Sequence, residues 1–133
     1  MNYFSTAERR VKGVTILDIR GKLKGCGGRC QLREAVFHPL EEGYDQILLN
    51  LAQVSAIDSS CLGELVSMHV YFNDRGAKMR MVLSQPLQMM ITITNLMNTF
   101  DIYENETDAL DKFLCDTLDP DEPSNIFTGD LDD

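Results

Sequence analysis

Nowhere does the sequence hold an apolar run near the ~20 residues needed to cross a bilayer, so no transmembrane helix and no membrane insertion are expected. Met1 to Arg10 lack an apolar h-region, which argues against a secretory signal and for a cytoplasmic protein. The 4 cysteines are then expected as reduced thiols, not as a disulfide framework. Cys26-Gly27-Gly28-Arg29-Cys30 is spaced C-x-x-x-C, and no second pair completes it, so neither a zinc ribbon nor a thioredoxin-like site is indicated. The glycines match neither the dinucleotide fingerprint nor the P-loop, and there is no G-x-S-x-G nucleophile motif. No convincing carboxylate dyad is present, and neither His38 nor His69 has the local context of a catalytic base. These absences argue against an enzyme and imply no cofactor, no metal site and no catalytic residue.

Basic residues are also missing from one region. Residues 116–133 carry seven acids and no Lys or Arg, whereas residues 1–115 hold 14 acids against 12 bases. The formal charge of −9 therefore comes mostly from an acidic tail, expected to be flexible, on a nearly neutral domain spanning 1–115. Eight of the bases fall within residues 1–33. They lack the aromatic interleaving of nucleic-acid binders, so they read as solvated charge on edge strands, with no direct nucleic-acid contact.

The 133 residues are 44% hydrophobic, enough for one core. Asn2 to Val11 reads as a short edge strand joined through Gly13 to a β-rich, partly alternating run that Gly21 ends. Gly25 to Gly28 is too glycine-rich for either regular element and reads as a loop. Leu32, Val36 and Leu40 define a helical face that closes at Gly43, with Tyr44 folding back and Pro39 loosening the last turn. Ile47 to Leu51 is a continuous apolar run, as in a buried parallel strand. Val54, Ala56 and Ile57 lead into Asp58-Ser59-Ser60, a helix N-cap cluster. The helix that follows carries Leu62, Leu65, Val66, His69, Val70 and Phe72. Met79, Met81 and Leu83 alternate as a third core strand. Pro86 opens a helix through Met89, Met90 and Ile93 to a left-handed Asn95. The methionines, Met97 included, read as core filling. Phe100 to Tyr103 is a short strand, and Asn105 to Leu114 a last helix with Ala109, Leu110 and Phe113 inward. Strands alternating with helices predict an α/β fold: a mixed, mainly parallel sheet of about 4–5 strands with about 4 helices.

Within this order, Asn50 to Gly63 resembles the signature of the STAS domain family, the anti-sigma-factor antagonists: an apolar strand, a short loop, then Asp58-Ser59-Ser60 opening a helix. Arg75-Gly76, Ser84-Gln85-Pro86, Thr94-Asn95-Leu96 and Phe100 to Tyr103 follow in the family's order, so the resemblance runs from Val11 to Phe113. It departs at Cys61 and Asn95, where the family usually has glycine. The resemblance implies a bacterial, cytoplasmic phosphoprotein acting in transcription regulation by partner switching. Ser59 would be the phosphorylated residue, supported by Asp58, Ser60, Cys61 and Gly63. The unphosphorylated form would bind an anti-sigma factor that is also a serine kinase and free the sigma factor. Phosphorylation would switch binding off, and a serine phosphatase would reset it. Lys24, Gly25, Cys26, Gly27, Gly28, Leu62, Glu64 and Val66 are the expected partner-binding residues, on a monomer or weak dimer. Asp58 and Glu64 would set the phosphate in a negative patch. Two alternatives stand beside this: a STAS subunit of a signalling scaffold or lipid-transporter complex, and a thiol or ligand sensor built on Cys26, Cys30 and Cys61.

Overall fold

The structure, a computed structural model, describes residues 4–117. Its elements are β1 (Phe4–Val11), β2 (Val14–Leu23), α1 (Gly25–Glu41), β3 (Gln46–Ile57), α2 (Ser59–Asp74), β4 (Lys78–Leu83), α3 (Gln85–Ile93), β5 (Asp101–Tyr103) and α4 (Glu106–Thr117). The strands lie side by side in sequence order in one five-stranded sheet. β1 and β2 form an antiparallel hairpin, and every later pairing is parallel. Lys12 and Gly13 both have positive φ, 52° and 85°, the backbone that a two-residue hairpin turn requires. The mixed, mainly parallel sheet with four helices is the architecture the alternation predicts.

Apolar side chains divide between the two faces. α1, α2 and α3 cover one, where Leu32, Val36, Leu65, Met68, Phe72, Leu87 and Ile91 meet Leu17, Ile19, Ile47, Leu49, Leu51, Met79 and Met81. α4 covers the other, placing Ala109 and Phe113 on Val14, Ile16, Leu48 and Val82. Arg80 is buried on that side, its guanidinium 4.3 Å from the Phe113 ring centroid. Among the described residues no helix is long and apolar enough to cross a membrane.

Several expectations need correction. The glycine-rich segment is not a loop: α1 begins at Gly25 and runs through it. Its buried stripe is Gly28, Leu32, Val36 and Pro39, so the apolar period continues backward onto a glycine. A residue without a side chain carries no hydrophobic signal, which is why the first turn was invisible. Pro39 lies inside the helix, which ends two residues later. There the Pro39 carbonyl accepts the Tyr44 N–H at 3.0 Å and Gly43 takes φ 98°. β3 is longer than its apolar run, because two register shifts against β2 let pairing continue as far as Leu23–Ile57. Those shifts break the two-residue period across Leu51, Val54 and Ile57, all buried. On α2, Val70 is exposed and Met68 takes the core position. On α3, Leu87 and Ile91 form the buried face, leaving Met89, Met90 and Ile93 outside, and Met97 beyond the helix is exposed too. Asn95 takes φ 64°, the expected left-handed cap. The last helix continues to Thr117, and the rest of the acidic tail lies outside the described residues.

Candidate functional site

β2 and β3 are parallel neighbours, so the starts of α1 and α2 lie together at their carboxyl ends. Asp58 joins them. It is the N-cap of α2 in extended backbone, φ −100° and ψ 176°. Its backbone N–H donates to the Leu23 carbonyl at 3.0 Å, and its own carbonyl accepts from Leu62 at 2.9 Å. On the side chain, Oδ1 accepts the Cys61 N–H at 3.0 Å and the Ser60 hydroxyl at 2.9 Å. Oδ2 accepts the Gly25 N–H at 2.7 Å. One carboxylate thus satisfies one backbone donor in the first turn of each of two helices. The Gly25 N–H, then the Cys61 N–H, stabilise the charged form and hold this carboxyl at about 2, below its ordinary 3.8.

The two serines are placed differently. Ser60 is half-buried and its hydroxyl is engaged by Asp58. Ser59 is exposed at the first helical position. Cys61 is fully buried, and its thiol points at the Gly25 carbonyl, 4.0 Å away. Burial, with the Asp58 charge second, pushes that thiol up to about 11, so it stays protonated near neutral pH. A sensor using all three thiols therefore loses Cys61. Cys26 and Cys30 remain exposed, on α1.

The expected partner-binding residues separate into two groups. Lys24, Gly25 and Cys26 are exposed on the rim, with Gly27 and Val66 half-buried beside them. Gly28 lies on the buried stripe of α1, and Leu62, only 6% exposed, belongs to the core, so neither is presented on the rim. Glu64 is only 8% exposed, and its Oε2 lies 3.3 Å from the Arg33 guanidinium. That ion pair ties α2 to α1 and removes Glu64 from the expected negative patch. Arg33 was not legible as a site residue, because no local spacing relates it to a residue 31 positions away. Gly63 is exposed, and a Cβ built there would meet nothing within 4 Å. His69 is buried, edge-on to Phe100 and 3.2 Å from the Asn73 amide, which supports a packing role.

This junction, an Asp-Ser-Ser cap at the start of a helix following a buried parallel strand, lies inside the residues 7–109 that match the family model for the STAS domain. The chain belongs to the STAS domain family. A relative from Paenibacillus polymyxa, an anti-sigma F factor antagonist, is 27% identical over 103 residues, which cover 74% of this chain and 86% of the relative. A crystal structure from Thermotoga maritima, described as a candidate anti-sigma factor antagonist, superposes with a TM-score of 0.73 at 26% identity, covering 80% of this STAS chain and 92% of that one. The anti-sigma factor antagonist SpoIIAA shares the fold in its unphosphorylated form, with a TM-score of 0.65 at 15% identity and coverage of 83% and 98%. The phosphorylated form of the Bacillus SpoIIAA also shares it, at 0.58 and 18%, with the same coverage. The STAS sheet, helices and element order are thus those of the fold expected from the sequence.

Proposed function

We propose that this protein is an anti-sigma-factor antagonist that binds an anti-sigma serine kinase while unphosphorylated, frees the sigma factor, and loses that binding when Ser59 is phosphorylated. A serine phosphatase then restores the binding form. The observation that carries this reading is the contrast at the head of α2: Ser59 is exposed, whereas the Ser60 hydroxyl is held by Asp58. A kinase reaches the first without disturbing the cap. Family membership and the names of the relatives support the same reading.

The switch needs no refolding. A phosphate adds about −1.5 to −2 charges at one point of the rim. Asp58, already ionised, sits beside it, while Lys24 and Arg29 are the exposed bases at the start of α1. A partner surface fitted to the neutral hydroxyl must then desolvate that charge, and each ~1.4 kcal/mol of penalty weakens binding tenfold. The contact surface is Lys24 to Cys26 together with the outward side of α2 at Ser59, Gly63, Val66 and Ser67. The test is a pull-down and titration with wild type, Ser59→Ala and Ser59→Asp. Ser59→Ala should fold and bind the kinase persistently. Ser59→Asp should fold but bind more weakly, imitating phosphate only in part. Phosphate found by mass spectrometry on another residue, or binding unchanged by both substitutions, overturns the reading.

A further inference from the structure

Because the glycine-rich segment is helical, Cys26 and Cys30 stand one turn apart on the same face of α1. Both are exposed, and Arg29 and Arg33 lie on that face with them. Cβ atoms four residues apart on a helix are separated by about 5–6 Å, whereas a disulfide needs about 3.5–4.5 Å. The two thiols therefore cannot join while the turn is intact. This turn is weakly built. Gly27 and Gly28 lie between the cysteines, and glycine is the poorest helix former after proline. Lys24, at the N-cap, gives no side-chain hydrogen bond. What ties the first turn to the rest of the fold is the Gly25 N–H on Asp58 and the close packing of the buried Gly28, while the apolar side chains of Leu32 and Val36 lie further along.

We propose that Cys26 and Cys30 form an oxidisable dithiol whose disulfide unwinds the first turn of α1 and withdraws the Gly25 N–H from Asp58. The oxidant is a small-molecule disulfide. One cysteine thiolate attacks it, forming a mixed disulfide and expelling one thiol. The second cysteine displaces the other, so the protein gives up two protons and two electrons and two small thiols leave. The exposed Arg29 beside them favours the approach of an anionic disulfide, whereas Arg33 is already paired with Glu64. Cys61, buried and protonated, takes no part. With the turn unwound, Asp58 keeps its contacts within α2 but no longer ties the two helix starts, so the rim beside Ser59 changes shape. Any effect on kinase affinity rests on the function proposed above; the disulfide and the unwinding do not.

The test incubates the full chain with oxidised glutathione under native conditions and maps disulfides by mass spectrometry. Cleavage after Arg29 gives the two cysteines separate peptides that only the disulfide holds together. Hydrogen exchange is read in parallel, with Cys30→Ser as the variant that cannot close the bond. The expected result is a Cys26–Cys30 disulfide, with exchange at Gly25 and at residues 28–30 raised about tenfold or more, reversed by reductant and absent in Cys30→Ser. No such bond after prolonged exposure, or a bond that leaves exchange in α1 unchanged, overturns the proposal. Kinase binding is measured separately on the reduced Ser59 variants, so a failure of the dithiol is distinguishable from a failure of the phosphorylation reading.

Discussion

At the residue scale, Asp58 and Gly63 separate what the fold needs from what a partner needs. Asp58 caps α2 and reaches across to α1, so Asp58→Ala should cost about 1–2 kcal/mol of stability, read as a lower urea midpoint. Its carboxyl titrates lower folded, at about 2, than its ordinary 3.8, because the Gly25 and Cys61 N–H groups favour the anion. A depressed carboxyl contributes stability that is complete above the unfolded value and lost as pH falls through the folded one. The stability gap between wild type and Asp58→Asn should therefore hold above about pH 4 and shrink between about pH 4 and 2. A gap that is flat across that range would show that the charge contributes nothing. Gly63 is the opposite case. Its Cβ position is open and its backbone is helical, so Gly63→Ala should stabilise α2 by about 0.5–1 kcal/mol. If a partner lies closely on this face, the same substitution should weaken its binding. A rise in melting temperature with a fall in kinase affinity is the expected pair of results, and affinity unchanged would place the contact elsewhere.

At the scale of elements, two isoleucines of α3 that flank Thr92 have opposite expectations. Ile91 is fully buried while Ile93 is 76% exposed. Ile91→Ala should cost about 2–5 kcal/mol, whereas Ile93→Ala should stay within about 0.5 kcal/mol. Denaturant melts of the two variants check the face assignment directly, and equal losses would mean that α3 is rotated. The same helix shows where reading the sequence stops. Its existence and its start at Pro86 were legible, because proline is favoured in a first turn. Which of its apolar side chains turn inward was not, because Gln85, Gln88 and Thr92 mark only a narrow polar stripe, and in little more than two turns Met89, Met90 and Ile93 flank it while only Leu87 and Ile91 are buried. β4 and α4 were legible for the converse reason, since their apolar residues recur with a definite period, whereas β2, buried on both faces and only partly alternating, runs two residues past the expected end at Gly21 to Leu23. α1 shows a third situation, in which packing overrides propensity. Its first turn holds three glycines and forms because Asp58, 33 residues away from Gly25, caps it. For the candidate site, the Asp-Ser-Ser cap was readable as a local pattern. The Arg33–Glu64 pair and the burial of Leu62 and Cys61 were not, since they arise from how α1 and α2 meet.

At the scale of the whole molecule, the question is whether the acidic C-terminal segment belongs to the folded unit. Both faces of the sheet already have a cover: α1, α2 and α3 on one side and α4 on the other. α4 is the part that the body needs. Phe113 is fully buried against Val14, Ile16 and Leu48, and Phe113→Ala should cost about 3–5 kcal/mol. The residues after Thr117 contribute six acids and no base, with no periodic apolar face. Truncation after Thr117 therefore removes charge and no expected core contact, taking the formal net charge from −9 to −3. A domain that keeps its core and sheds like charge has no reason to lose cooperativity, and it sheds some self-repulsion. The truncated chain should unfold in a single transition with its melting temperature within about 3 °C of the full chain, the range expected when only surface groups are lost. A broad or strongly lowered transition would place Ile126, Phe127 or Leu131 in the core and move the domain boundary beyond α4.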